Sequence, residues 1–168
     1  MFQTFDANTT PETGGPRLAA LRSAMQAEGL DGFVIPRADA HQGEYVADCD
    51  KRLAWLTGFT GSAGFCVALH DMAGVFNDGR YTLQVRDQVD LYHFTPVDYP
   101  KNNLGDWLAT TAKKGDVIGF DPWLHTKGEI DKANKHLSDT GITLQPCANL
   151  IDRIWSDRPS APTDLMVP

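Results

Sequence analysis

Trp55–Gln84 reads WLTGFTGSAGFCVALHDMAGVFNDGRYTLQ, and this stretch decides the fold. Gly58, Gly61 and Gly64 crowd one short loop. Glycine at this density marks backbone that turns tightly or lets another group approach closely. Phe65–Leu69 is a short apolar run behind a glycine, which predicts a buried strand. Ala73–Asn77 predicts a second strand. His70-Asp71-Met72 between them has turn character, so the pair reads as an antiparallel hairpin. The second strand delivers Asp78 and Arg80 to its C-terminal end, just ahead of a predicted helix. α/β sheets commonly place ligand-facing groups at that position.

Upstream, residues 1–15 read as a loose lead-in. Pro16 suits a first helical position, Leu18, Leu21 and Met25 form one helical stripe, and Gly29 ends it. Asp31–Ile35 is a strand closed by Pro36. A polar loop, Arg37–His41, follows, then short helices over Glu44–Cys49 and Arg52–Leu56. Downstream, Tyr81–Val89 predicts a helix that Asp78 is placed to cap. Leu91–Pro96 predicts a strand. Asn103 opens a helix with Leu104, Trp107, Leu108 and Ala112 on its apolar face. Asp116–Phe120 is a strand. Thr126 and Glu129 have capping-box spacing ahead of a helix bearing Ile130, Ala133 and Leu137. Ile142–Leu144 is a last strand and Asn149–Trp155 a last helical turn. Residues 156–168, with Pro159, Pro162 and Pro168, read as a linker toward a further domain, which leaves 16–155 as the folded unit. Strands and helices alternate except at the hairpin, so the expected class is α/β: three layers, α/β/α, around a mixed sheet.

A chain of 168 residues suits one domain, and 42% hydrophobic with 22% charged residues suits a packed one. The net charge is −7 and Lys and Arg form no stripe, which argues against nucleic acid as a partner. The first residues lack a signal-peptide pattern, and no apolar run approaches the roughly 20 residues of a membrane helix. Three cysteines at wide spacing, Cys49, Cys66 and Cys147, make no disulfide framework and no CxxC pair. A reducing, cytoplasmic setting is expected.

The candidate chemistry narrows quickly. Gly58–Gly64 is GFTGSAG, which precedes a strand rather than opening a helix and lacks the lysine of a phosphate loop. Ser62 lacks the glycine two residues before it and the helix after it that a nucleophile elbow needs. His41, His70, His93, His125 and His136 are scattered; His41 and Glu44 share a face only if that segment is helical, and HExxH is absent. No metal site is expected. Arg80 is the best functional candidate, because guanidinium offers a planar fork of donors to carboxylate or carbonyl oxygens. The residues alone do not separate that role from internal pairing of Arg80 with Asp78, Asp39 or Glu44. Trp55, Trp107 and Trp123 read as core or contact residues, and Trp155, beside the linker, as a contact with another domain.

Four segments in order, ADAHQGEYVADCDKRLAWLTGFTGSAG, NDGRYTLQ, GFDP and NLIDRIWSDRP, resemble the N-terminal domain of the Xaa-Pro aminopeptidases (aminopeptidase P) of the three-domain type. The resemblance covers Arg17 to Pro159. It implies a ribonuclease-H-like, non-catalytic first domain of a creatinase/prolidase-family metallopeptidase. The full-length enzyme would remove the N-terminal residue from peptides with proline second. Two divalent metals, commonly manganese, would sit in a C-terminal pita-bread domain absent from this chain, and the enzyme would be a homodimer. No catalytic residue, metal or cofactor is expected in this chain. The resemblance turns Arg80 toward substrate binding, with Asp78 and His41 as supporting residues. Gly43 stands where serine is usual, and Phe76-Asn77 where Trp-Thr is usual. The same fold also occurs as a non-catalytic peptide-binding module, as in the FACT histone chaperone. Creatinase and prolidase share the layout too.

Overall fold

The computed structural model describes residues 10–163; the expectations for 1–9 of the lead-in and 164–168 of the linker lie outside it. Helix α1 spans Gly14–Ala27, strand β1 Gly32–Pro36, α2 Arg52–Thr57, β2 Gly64–Leu69, β3 Ala73–Asp78 and α3 Thr82–Gln88. Then follow β4 Thr95–Tyr99, α4 Leu104–Thr111, β5 Val117–Phe120, α5 Lys127–Leu137, β6 Thr143–Pro146 and α6 Leu150–Ile154.

The predicted hairpin is present: β2 and β3 pair antiparallel, with Gly64 opposite Asn77 and Ala68 opposite Ala73. The six-stranded sheet has the order β4-β3-β2-β1-β5-β6. Only β2 runs against the other strands, since β1–β5, β3–β4 and β5–β6 pair parallel. The C-terminal ends of β1, β3, β4, β5 and β6 therefore meet at one edge of the sheet, together with the start of β2.

Strand alternation sorts the core into two layers. Phe33, Ile35, Cys66, Ala68 and Val75 face α1, α2, α3 and α6 with Leu21, Leu56, Val85 and Ile151. Val34, Val67, Phe76, Ile118 and Phe120 face α4 and α5 with Leu108 and Leu137. This is the expected α/β/α sandwich with a mixed sheet.

Several boundaries differ from the sequence reading. Helix α1 begins at Gly14, behind a 3₁₀ turn at Pro11–Thr13, rather than at Pro16. Both glycines pack closely there: a Cβ on Gly14 would meet Phe94 at 2.8 Å and one on Gly15 would meet His93 at 2.5 Å. Glu44–Ala47 is not helical; only Asp48–Asp50 forms a 3₁₀ turn. Asp39 captures the amides of His41 (2.9 Å) and Gly43 (3.0 Å), and Gln42 takes φ +56, so the chain turns there instead of coiling. The fourth strand starts at Thr95, because Asp90–Phe94 folds into a turn closed by the Phe94 amide on the Asp90 carbonyl at 2.9 Å. Asp78 caps the 3₁₀ turn Gly79–Tyr81 rather than α3 itself. The Thr126–Glu129 capping box of α5 is formed.

Trp155 overturns its expected role. It is 7% exposed and stacks on Trp55 with centroids 5.3 Å apart, beneath the first core layer. Arg17 lies 4.6 Å over the other ring of that pair, Trp55. α6 carries Leu150 and Ile151 into the core and draws the following tryptophan in with them. The exposed tryptophan is Trp123, at 76%.

Candidate functional site

The candidate site stands on the strand-terminal edge of the sheet, where β3 ends. Phe76 is fully buried between Phe65 (4.1 Å, stacked) and Trp107 (5.4 Å, edge-on), so β3 is firmly held up to its last residues. Asp78 then leaves the sheet in extended conformation, and its Oδ1 accepts from the Arg80 amide at 3.0 Å. The same oxygen accepts from Arg80 Nε at 2.9 Å. One carboxylate thus fixes both the turn and the direction of the arginine. These bonds, the backbone amide first, hold the Asp78 carboxyl below its ordinary range, while Asp78 holds the Arg80 guanidinium above its own.

The guanidinium lies 5.3 Å over the Tyr81 ring, and its side chain is 67% exposed. Only Nε is used within the fold; both terminal nitrogens have no hydrogen-bond partner among the described residues. Asp78 and Tyr81 therefore support Arg80 from below and leave the outer part of its fork open to an oxygen acceptor. Tyr81 is itself fixed, with its hydroxyl 2.5 Å from Ser62 Oγ; that bond is the chief cause that pulls the phenol below its ordinary value. Ser62 belongs to the glycine loop, which Gln88 secures from α3: its Oε1 accepts from the Thr60 amide at 2.9 Å. The loop acts as a structural buttress for the edge that carries Arg80.

Of the sequence-derived residues, Asp78 and Arg80 are in direct contact. His41 lies exposed on the loop after β1, and no contact joins it to Arg80 or Asp78 among the described residues. Neither Asp39 nor Glu44, the alternative partners for Arg80, pairs with it among the described residues. Asp39 closes its own turn, and the Glu44 carbonyl accepts from Arg37 Nη2 at 2.9 Å. The Ser62–Tyr81 link was not legible in the sequence, since it spans separate elements. The tyrosine directly after Arg80 was the one available signal. Among the described residues, no group of three or more His, Cys, Asp or Glu is arranged to hold a metal ion. No helix among them is long and apolar enough to cross a membrane.

A family model for the Creatinase/Prolidase N-terminal domain matches residues 17–154. The chain belongs to this family. It corresponds to the N-terminal region of Xaa-Pro aminopeptidases. It is 37% identical over 157 residues to a probable Xaa-Pro aminopeptidase P of Pyrenophora teres f. teres, covering 90% of this chain and 24% of that protein. It is 36% identical over 149 residues to Xaa-Pro aminopeptidase 2 of Rattus norvegicus, covering 88% and 22%. The chain thus spans about a quarter of the length of these relatives. Among solved structures, the X-prolyl aminopeptidase of Caenorhabditis elegans superposes with a TM-score of 0.79 at 33% identity, over 88% of this chain and 26% of that one. That protein is reported as a cytosolic enzyme with a di-nuclear active site. The N-terminal domain of the cytoplasmic peptidase PepQ of Mycobacterium tuberculosis superposes with a TM-score of 0.63 at 23% identity, over 83% and 98%, which supports the fold alone.

Proposed function

We propose that this chain is the non-catalytic N-terminal domain of a Xaa-Pro aminopeptidase, and that Arg80 contacts the peptide bound by the enzyme's catalytic region. In this reading the longer protein hydrolyses the N-terminal residue from peptides with proline second. It works in the cytoplasm as a homodimer with two divalent metals, manganese by resemblance. Residues 16–155 form the domain and 156–168 lead toward the next one. The family match over residues 17–154, with relatives that continue well beyond the matched region, carries the reading. Nothing among the described residues fits a metal pair, so no metal-dependent step is assigned to this chain. Its contribution is positional. Arg80 is held by Asp78 and Tyr81 with its terminal nitrogens free, at the sheet edge where α/β folds present groups to ligands.

The test compares the 168-residue chain with a longer protein that carries it together with its downstream domains. The longer protein is expected to cleave Xaa-Pro peptides when supplied with manganese. The chain alone is expected to cleave none and to bind no stoichiometric manganese by calorimetry. Manganese-dependent hydrolysis by the purified chain would overturn the reading, as would a longer protein that binds peptides without turning them over.

A further inference from the structure

The strand order reverses at β1. The chain fills one side of the sheet through β2, β3 and β4, then places β5 against the other edge of β1 and extends outward with β6. Val85 and Val89, from the β3–β4 crossover, pack in one core layer, and Leu137, from the β5–β6 crossover, packs in the other. Where crossovers diverge to opposite faces, a crevice opens beyond the C-terminal ends of the strands, and open α/β sheets take ligands there. In this molecule a cleft of about 340 Å³ lies beside that point, lined by the ends of β1 and β4, the start of β2, the segment that follows β5, and helices α4 and α5. Its size is at the small end of the range for ligand pockets.

Val34, Phe65, Leu124 and Ala133 give the cleft an apolar floor, and Arg37 and Lys132 border it. Arg37 uses one N–H inside the fold, Nη2 on the Glu44 carbonyl. Neither Arg37 nor Lys132 forms an ion pair among the described residues. Glu129 also lines the cleft, but its Oε2 already accepts from the Thr126 amide at 2.8 Å and the Thr126 hydroxyl at 3.0 Å. Asp106, the acid that feels Lys132, is taken by His136 Nδ1 at 2.5 Å. On a chain of net charge −7, two cations without ion-pair partners over an apolar floor favour a ligand with an apolar body and an anionic end. Gln42 adds a side-chain amide at the border, suited to a peptide link. His125 stands in the same wall, with Nε2 buried and without a hydrogen-bond partner among the described residues.

We infer that this cleft binds the C-terminal end of a short peptide, with the last apolar side chain on the floor and the terminal carboxylate between Arg37 and Lys132. Arg80 itself does not line the cleft, although Ser62, bonded to Tyr81, and Tyr99, paired with Asp78, do; the proposal does not rest on the peptidase reading.

The proposal is tested by ¹H–¹⁵N NMR titration of this chain with three probes: the tripeptide Gly-Gly-Leu, its C-terminal amide, and isovalerate. Gly-Gly-Leu is expected to shift the amides of Gly64, Gly105 and Ala133 saturably. The amide is expected to bind about tenfold more weakly, the scale of one lost charge-assisted contact. Isovalerate, which has the carboxylate and the branched chain but no peptide link, is expected to bind more weakly than the tripeptide. Arg37→Gln and Lys132→Gln should each weaken the tripeptide by about tenfold, with Arg37→Lys retaining more than Arg37→Gln. Both residues lie near the surface, and the comparison of acid with amide needs no variant at all. No saturable shift at the cleft into the tens of millimolar, equal binding of acid and amide, or isovalerate binding as tightly as the tripeptide would overturn the proposal.

Discussion

Arg80 carries the functional reading, and its surroundings predict how it fails. Its pair with Asp78 is solvent-exposed, and exposed pairs contribute little to stability. In the proposed longer peptidase, Arg80→Ala is therefore expected to raise KM or lower kcat several-fold while Tm moves little. Asp78→Asn should give a milder version, because Arg80 then loses its anchor but keeps its charge. Unchanged kinetics with a lowered Tm would make Arg80 a structural residue. A second residue-level prediction concerns His125. Burial is the chief cause that holds its imidazole below the ordinary value of 6.5, with Glu129 and Asp121 opposing more weakly. As pH falls through 6.5 toward that depressed value, the unfolded chain binds a proton that the fold refuses, so stability declines. Urea midpoints measured on either side of that range should therefore drop toward the acid side. The drop should be smaller in His125→Phe, whose ring keeps the edge contact that His125 makes with Phe120 at 5.7 Å. A variant with the full acid slope would refute the assignment.

Among the elements, the glycine loop ahead of β2 shows what the sequence revealed and what it hid. Gly64 has φ +156, and a Cβ there would press into the backbone carbonyl oxygen of Phe76 across the hairpin. Gly64→Ala is expected to cost about 2 kcal/mol in urea denaturation, from strain and a collision with backbone that cannot step aside. A cost near zero would mean that the hairpin register shifts freely. The hairpin was legible because its signal is local: two apolar runs, a polar turn and a glycine. The capping box of α5 and the stripe of α1 were legible for the same reason. The helix expected over Glu44–Cys49 is reduced to a 3₁₀ turn at Asp48–Asp50, behind a turn that Asp39 closes on the amides of His41 and Gly43. The site was half legible. Asp78 and Arg80 are neighbours in sequence, so their pairing was foreseeable. The Ser62–Tyr81 bond and the cleft beside the end of β1 depend on strand order, which no local pattern encodes.

At the scale of the molecule, the segment after α6 is tied to the fold where it begins. Arg52 is 5% exposed and clasps Asp152 through Nε (2.6 Å) and Nη2 (3.0 Å), while its Nη1 reaches Asp50 at 2.8 Å. Arg158, past the last helix, joins the same carboxylates: 2.8 Å to Asp152 and 3.3 Å to Asp50, with Nε on the Cys49 carbonyl at 2.6 Å. Two arginines and two aspartates thus tie the start of α2, the 3₁₀ turn before it, α6 and the exit segment into one knot. The two arginines are not equivalent. Removing Asp152 takes the two-pronged partner from the buried Arg52 and leaves it Asp50 alone, so Asp152→Ala is expected to destabilise the fold by about 3 kcal/mol. Removing Arg158 leaves the Asp50–Arg52–Asp152 core intact. Arg158→Ala should therefore lower global stability by less than about 1 kcal/mol, since its side chain is part-exposed. It should still loosen the exit, seen as faster amide hydrogen exchange at Ser156 and Arg158, whose amides bond Ile154 and Trp155 carbonyls at 3.2 and 3.3 Å. In the longer protein proposed above, such a knot would be expected to bias the direction in which the chain continues. Equal destabilisation by the two variants, or unchanged exchange at the exit in Arg158→Ala, would show that the knot braces the fold without steering the chain beyond it.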